Sequence, residues 1–92
     1  MKTEKSIKLK TGETLPAGLP CSFLEPSTAC IVHAPTRDVR VRASSAFEVP
    51  STEELQEAAS DGLCPSVFGE TTEPDGWDSE GSPSWLLALG LI

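Results

Sequence analysis

Residues 38–62 read DVRVRASSAFEVPSTEELQEAASDG, and the pattern changes character at Pro50. Before it, Val39 and Val41 alternate with Arg40 and Arg42. A period of two sends the valines to one face of a strand and the arginines to the other. The strand is expected to run on irregularly through SSAFEV, burying Phe47 and Val49. After the proline, Ser51 stands three residues before Glu54, the spacing of a capping box. Glu53 and Glu54 suit the positive end of a helix dipole. Gly62 can take the left-handed conformation that ends a helix, with Leu63 placed to fold back onto it. The stretch therefore predicts a strand, then a helix over about 51–61. Its apolar stripe, Leu55, Ala58 and Ala59, is too thin for a coiled coil and suits packing against a sheet.

Working outward, SIKLK (6–10), CSFLE (21–25) and ACIVHA (29–34) are further β-prone runs. Pro16, Gly18, Pro20 and Pro26 bracket the second, so that within 14–26 only 21–25 should be free to pair. Val67 and Phe68 offer one more short strand. EPDGWDSEG (73–81) is turn-rich, with Pro74-Asp75-Gly76 as its strongest signal. Ser82 and Pro83 read as the cap and first residue of about two helical turns, SWLLAL, stopped by Gly90. Strands first and helix later is the α+β order. The expectation is one domain over 1–92, mainly β: a small SH3-like barrel or a strongly bent antiparallel sheet. The helix at 51–61 and a C-terminal helical turn would pack on it.

SPSWLLALGLI (82–92) is the most apolar stretch. Burying one leucine contributes about 1.5–3 kcal/mol, against a net stability of about 5–15 kcal/mol. Trp85, Leu86, Leu89 and Ile92 are accordingly expected to complete the core, with Trp77 packed nearby, rather than to fill a partner's groove. The run is too short for a bilayer, which needs about 20 residues in a helix. MKTEKSIKLK has no apolar run after its basic start, so no secretory signal is expected. Three cysteines, Cys21, Cys30 and Cys64, are an odd and widely spaced set. Free thiols and a cytoplasmic setting without a membrane partner follow as expectations.

Charge is segregated along the chain. Residues 1–42 hold seven basic and four acidic side chains, a net of +3; residues 43–92 hold ten acidic and no basic ones, a net of −10. Either the two halves attract each other within the fold, or one of them is a partner-binding face.

EPDGWDSEGSPSWLLALGLI (73–92) resembles the C-terminal segment of small uncharacterised proteins of bacteriophages, prophages and mobile elements, which tend to end in an EPDG…G.PSWLLALG pattern. LPAGLP (15–20) is a vaguer match. The resemblance implies a bacterial or phage setting and carries no activity with it.

Enzymatic signatures are sparse. Cys30 and His33 have C-x2-H spacing, but zinc sites usually pair two short spacings, and alternation along a strand sends these two to opposite faces. Cys64 precedes Pro65 rather than a helix start that would activate it. DGWDSEG misses the calcium-loop spacing, and no phosphate-cradling glycine motif is present. No cofactor and no metal are expected. The reading is a non-enzymatic accessory protein that docks on an unidentified protein partner through an acidic surface. That surface comprises Asp75, Asp78 and Glu80 around the aromatic Trp77, with Glu53, Glu54 and Glu57 on the helix. The alternative is direct nucleic-acid binding by a stripe of Lys8, Lys10, Arg40 and Arg42 neutralising phosphates. The apolar tail or an exposed sheet edge also leaves a homodimer open.

Overall fold

The strand anticipated at 38–43 forms, as β5 (Asp38–Val41), and it is the edge of a three-stranded antiparallel sheet ordered β3 (Cys21–Phe23), β4 (Cys30–His33), β5. The computed structural model describes residues 1–25 and 27–92; Pro26, one of the predicted brackets, lies outside them. Register places Val32 between Cys21 and Val39, and Cys30 between Phe23 and Val41, in rows across the three strands. These residues line the inner face, and alternation turns Ser22, Ile31, His33 and Arg40 outward.

Two smaller antiparallel sheets flank it. β1 (Ile7–Lys8) pairs with β2 (Thr14–Leu15), a strand that proline bracketing had hidden. β6 (Cys64–Pro65) pairs with β7 (Thr71–Thr72). The strand expected at Val67–Phe68 is instead the turn joining them, closed by Gly69 N–H on the Ser66 carbonyl at 3.0 Å. Among the described residues the three sheets are separate, and their pairings close no barrel. Strands of two to four residues interrupted by proline and glycine are too short to share a continuous ladder.

The irregular extension through SSAFEV is a helical turn, α1 (Ala43–Ala46), which buries the small Ala43 and Ala46. Phe47 is buried beyond it, but the turn breaks the alternation and leaves Val49 38% exposed. α2 (Thr52–Asp61) starts where expected: the Ser51 hydroxyl accepts the Glu54 N–H at 3.2 Å. It ends at Gly62 with φ +76°. Leu55 and Ala58 are buried against the core, while Ala59 is exposed and Leu63 points away into solvent.

The tail folds one step later than the sequence suggests. α3 (Trp85–Ala88) is capped by Ser84, whose hydroxyl accepts the Leu87 N–H at 3.1 Å. Ser82 is occupied elsewhere. Gly90, with φ +72°, ends the helix: its N–H bonds the Leu87 carbonyl and the Leu91 N–H bonds the Leu86 carbonyl. That crossed pair is a Schellman motif. It aims the chain outward, so Trp85 and Leu86 are 3% exposed, Leu89 is half-buried and Ile92 is 58% exposed. Ile92 is therefore not a core residue.

One contiguous core results, joining the inner faces of all three sheets to α1, α2 and α3. Among the described residues no helix is long and apolar enough to cross a membrane. Leu86→Ala should lower unfolding stability by about 2–5 kcal/mol, the usual cost of truncating a fully buried leucine. Ile92→Ser should change it by no more than about 0.5 kcal/mol, as exposed positions do. Urea midpoints of the two variants beside the parent chain measure both.

Candidate functional site

Two carboxylates hold the acidic loop 73–81: Glu70 accepts the Ser79 N–H at 3.0 Å and the Ser79 hydroxyl at 2.8 Å, and Asp78 lies at its centre. Asp78 Oδ1 accepts the N–H groups of Glu80 and Ser82, each at 2.9 Å. Oδ2 accepts the hydroxyls of Ser66 and Ser82. Burial alone would raise the Asp78 pKa, but these four donors outweigh it and hold the carboxyl below the ordinary carboxylate range. The Ser66 hydroxyl in turn accepts the Glu70 N–H at 3.0 Å, and that of Ser82 accepts the Phe68 N–H at 3.1 Å. Asp78 thereby ties the β6–β7 hairpin to the segment entering α3.

The rest of EPDG…SPSW serves the same knot. The Gly76 N–H closes a turn on the Glu73 carbonyl at 2.9 Å, and the Gly76 carbonyl accepts the Ser84 N–H at 3.0 Å. A Cβ on Gly76 would lie 2.6 Å from the Thr72 hydroxyl and 3.2 Å from the Glu73 carbonyl, so only glycine fits without displacement. The Ser84 hydroxyl donates to the Pro74 carbonyl. Trp77 bridges to Pro83 and meets Phe23 edge-on at 6.5 Å. It is half-buried core packing rather than an exposed anchor.

Of the seven predicted partner-binding residues, Asp75, Glu80, Glu53, Glu54 and Glu57 are exposed. Asp78 is engaged within the loop and Trp77 within the core. The helix acids and the loop acids sit on different elements, and no hydrogen bond joins them among the described residues. The ion pairs are informative. Among the described residues there is one Lys/Arg–carboxylate pair, Arg37–Glu13 at 3.1 Å, and one histidine–carboxylate contact, His33–Asp38 at 2.9 Å, both within 1–42. Among the described residues, none of the ten carboxylates of 43–92 lies within 4 Å of a cationic nitrogen. Mutual attraction of the halves through paired charges is thus not how the fold disposes of them.

The four predicted cations divide. Lys8 lies on β1 and Lys10 in the turn that follows it. Arg40 and Arg42 instead line a cleft of about 550 Å³ bounded by residues 27–29, the end of β5, the start of α1 and the end of α3. Lys8 and Lys10 do not line this cleft.

Sequence reasoning missed one constellation. Ser22 Oγ lies 3.0 Å from His33 Nε2, and His33 Nδ1 lies 2.9 Å from Asp38 Oδ1. The atom order is that of a nucleophilic triad. The signal was pairing register, since His33 sits directly opposite Asp38 and diagonal to Ser22. The His33 and Asp38 side chains are 43% and 65% exposed, however, and acyl transfer depends on preorganised donors in a water-excluding site. On this open sheet face the row links three neighbouring strands.

All three cysteines are buried and free. Burial, reinforced by the neighbouring Cys21 thiol, pushes Cys30 up to about 12; burial raises Cys21 as well. Cys30 faces the core and His33 faces solvent, as alternation requires. Among the described residues no group of three His, Cys, Asp or Glu side chains is placed to hold a metal ion.

No family model, curated protein or solved structure matches the chain.

Asp78→Ala strands two buried hydroxyls and should cost about 2–3 kcal/mol at neutral pH. Because the folded carboxyl titrates below its unfolded value of about 3.9, its contribution is complete above that pH and is lost as pH falls through the folded pKa. The gap between parent and variant should therefore narrow below about pH 4, as urea unfolding across pH 2.5–7 would record. Thiol titration with an aromatic disulfide at pH 8 should find no fast-reacting cysteine in the native chain and all three in urea.

Proposed function

We propose that the chain is a non-enzymatic binding module that presents its acidic half to a basic surface of a protein partner. The supporting observation is the charge arrangement: ten carboxylates, no basic residue in the same half and, among the described residues, no ion pair to the basic half. An uncompensated field of this kind accelerates encounter with a cationic surface and weakens with salt. Glu53, Glu54 and Glu57 carry the docking surface, because they stand exposed on a regular helix whose other side is fixed by Leu55 and Ala58. A rigid element positions charge better than a loop. Asp75 and Glu80 extend the field from the neighbouring loop. Three small sheets taken as a strongly bent, SH3-like wrapping of one core leave the Glu53, Glu54 and Glu57 side of α2 exposed for contact while Leu55 and Ala58 anchor its other side. The resemblance of 73–92 to phage and prophage proteins implies a bacterial or phage cytoplasmic setting and carries no role with it.

The test is binding of the full chain to an immobilised lysine decapeptide across a range of NaCl concentrations. The helix triple variant Glu53→Gln/Glu54→Gln/Glu57→Gln should lose at least about tenfold in affinity and flatten the salt slope. The loop double variant Asp75→Asn/Glu80→Gln should lose about threefold or less. Equal, small losses from both variants would refute a helix-borne docking surface.

A further inference from the structure

The acidic reading leaves the cleft beside β5 unused, and its chemistry is opposite in sign. We propose that this cleft binds a small phosphate-bearing ligand of about mononucleotide size, with Arg40 and Arg42 as the phosphate contacts.

Size comes first. The cleft holds about 550 Å³, within the roughly 300–1,000 Å³ typical of small-molecule sites. Its lining contains two arginines and no carboxylate. Arg42 continues β5 in extended conformation, φ −74° and ψ 147°, so it shares a face with Arg40 two residues earlier. At about 3.3 Å per residue their Cα atoms stand about 6.6 Å apart, close enough for both guanidinium groups to reach one phosphate.

Neither arginine is neutralised within the chain: among the described residues, no carboxylate oxygen lies within 4 Å of either. Arg40 is also oriented in advance. One of its guanidinium nitrogens donates to the Ser27 hydroxyl at 3.1 Å, on the cleft's own wall. A planar guanidinium offers further donors in a fork that matches phosphate oxygens. Ser27, Thr28 and Ser44 add hydroxyls to the lining. Val41, Ala43 and Leu89 give it an apolar side against which the organic part of a ligand can lie. In a chain of net charge −7, a concave pair of unpaired arginines is where an anion would be held locally despite overall repulsion.

The same features favour a small molecule over a nucleic-acid strand. Affinity for a strand grows with the number of phosphates neutralised, and Lys8 and Lys10, the cations a longer track would need, do not line this cleft.

The experiment uses the full chain titrated with pyrophosphate and with adenosine diphosphate at fixed ionic strength, followed by amide chemical shifts and calorimetry. Saturable binding at millimolar affinity or better is expected, with the largest shifts at Ser27, Thr28 and Ser44. Arg40→Ala and Arg42→Ala should each weaken it about tenfold, in keeping with the loss of a charge-assisted hydrogen bond. Arg42→Lys should weaken it less than Arg42→Ala, since charge remains while the fork is lost. Lys8→Ala should change it less than twofold. Absence of saturation up to 10 mM ligand would overturn the proposal. So would equal losses from Lys8→Ala and Arg40→Ala. Tighter binding of a single-stranded oligonucleotide than of the mononucleotide, with all four cations contributing, would overturn it in favour of strand binding. Both arginines are exposed, so their variants should fold, and a dichroism spectrum matching the parent checks this.

Discussion

The carboxylate of Asp78 is the constraint on which the C-terminal half depends. Four donors converge on it from Ser66, Glu80 and Ser82. Through them a two-residue hairpin, an irregular loop and a four-residue helix become one unit. None of these elements is long enough to be stable alone: isolated helices below about 12–15 residues are marginal in water, and two-stranded hairpins are no better. Buried polar groups must find partners or cost free energy, and here Ser66, Ser82 and Ser84 are buried and all partnered. The knot thereby seats Trp85 and Leu86 in the core. The EPDG…SPSW pattern reads as the hydrogen-bonding recipe for this unit, with the acids around it left for solvent or a partner.

Charge has been kept out of that architecture. Asp78 and Glu70 are the acids of the second half drawn into it, and their charge is met by hydroxyl and amide dipoles rather than by a cation among the described residues. Two polar contacts serve the first half: His33–Asp38 lies across the β4–β5 pairing, and the ion pair Arg37–Glu13 links the β4–β5 turn to the β1–β2 hairpin. Both are solvent-exposed and contribute little, about 0–1 kcal/mol each. Apolar burial and the serine network hold the fold, and among the described residues the exposed acids of α2 and the arginines beside β5 form no ion pair. Two surfaces of opposite sign on so small a chain are consistent with separate roles for each.

Much of the local structure was legible because its causes are local. The Val39–Val41 alternation, the Ser51 cap and the Gly62 stop act within a few residues, and β5 and α2 follow them closely. Elements whose cause is a distant partner were misread. Thr14–Leu15 becomes a strand only because Ile7 and Lys8 arrive to pair with it. Pro65 is accepted in β6 although proline lacks an N–H, because a two-residue strand asks little of it. Ser82 has the composition of a helix cap, but the carboxylate at 78 captures its hydroxyl, and the cap passes to Ser84.

The sequence by itself determined the α+β character, the position of the main helix, the burial of Trp85 and Leu86 and the segregation of charge, since each rests on propensity, periodicity or counting. Only the tertiary structure decided which charged residues remain available. Asp78 looks like surface chemistry in the linear order, yet beside its neighbours Glu80 and Ser82 it is absorbed by Ser66 from the other side of the hairpin, and Trp77 is held against the distant Phe23. Arg40 and Arg42 acquire a cleft only when α1 and α3 come to its edges. Hydrogen-bond partners and concave surfaces are made by residues distant in sequence, and no local pattern encodes where those residues will meet.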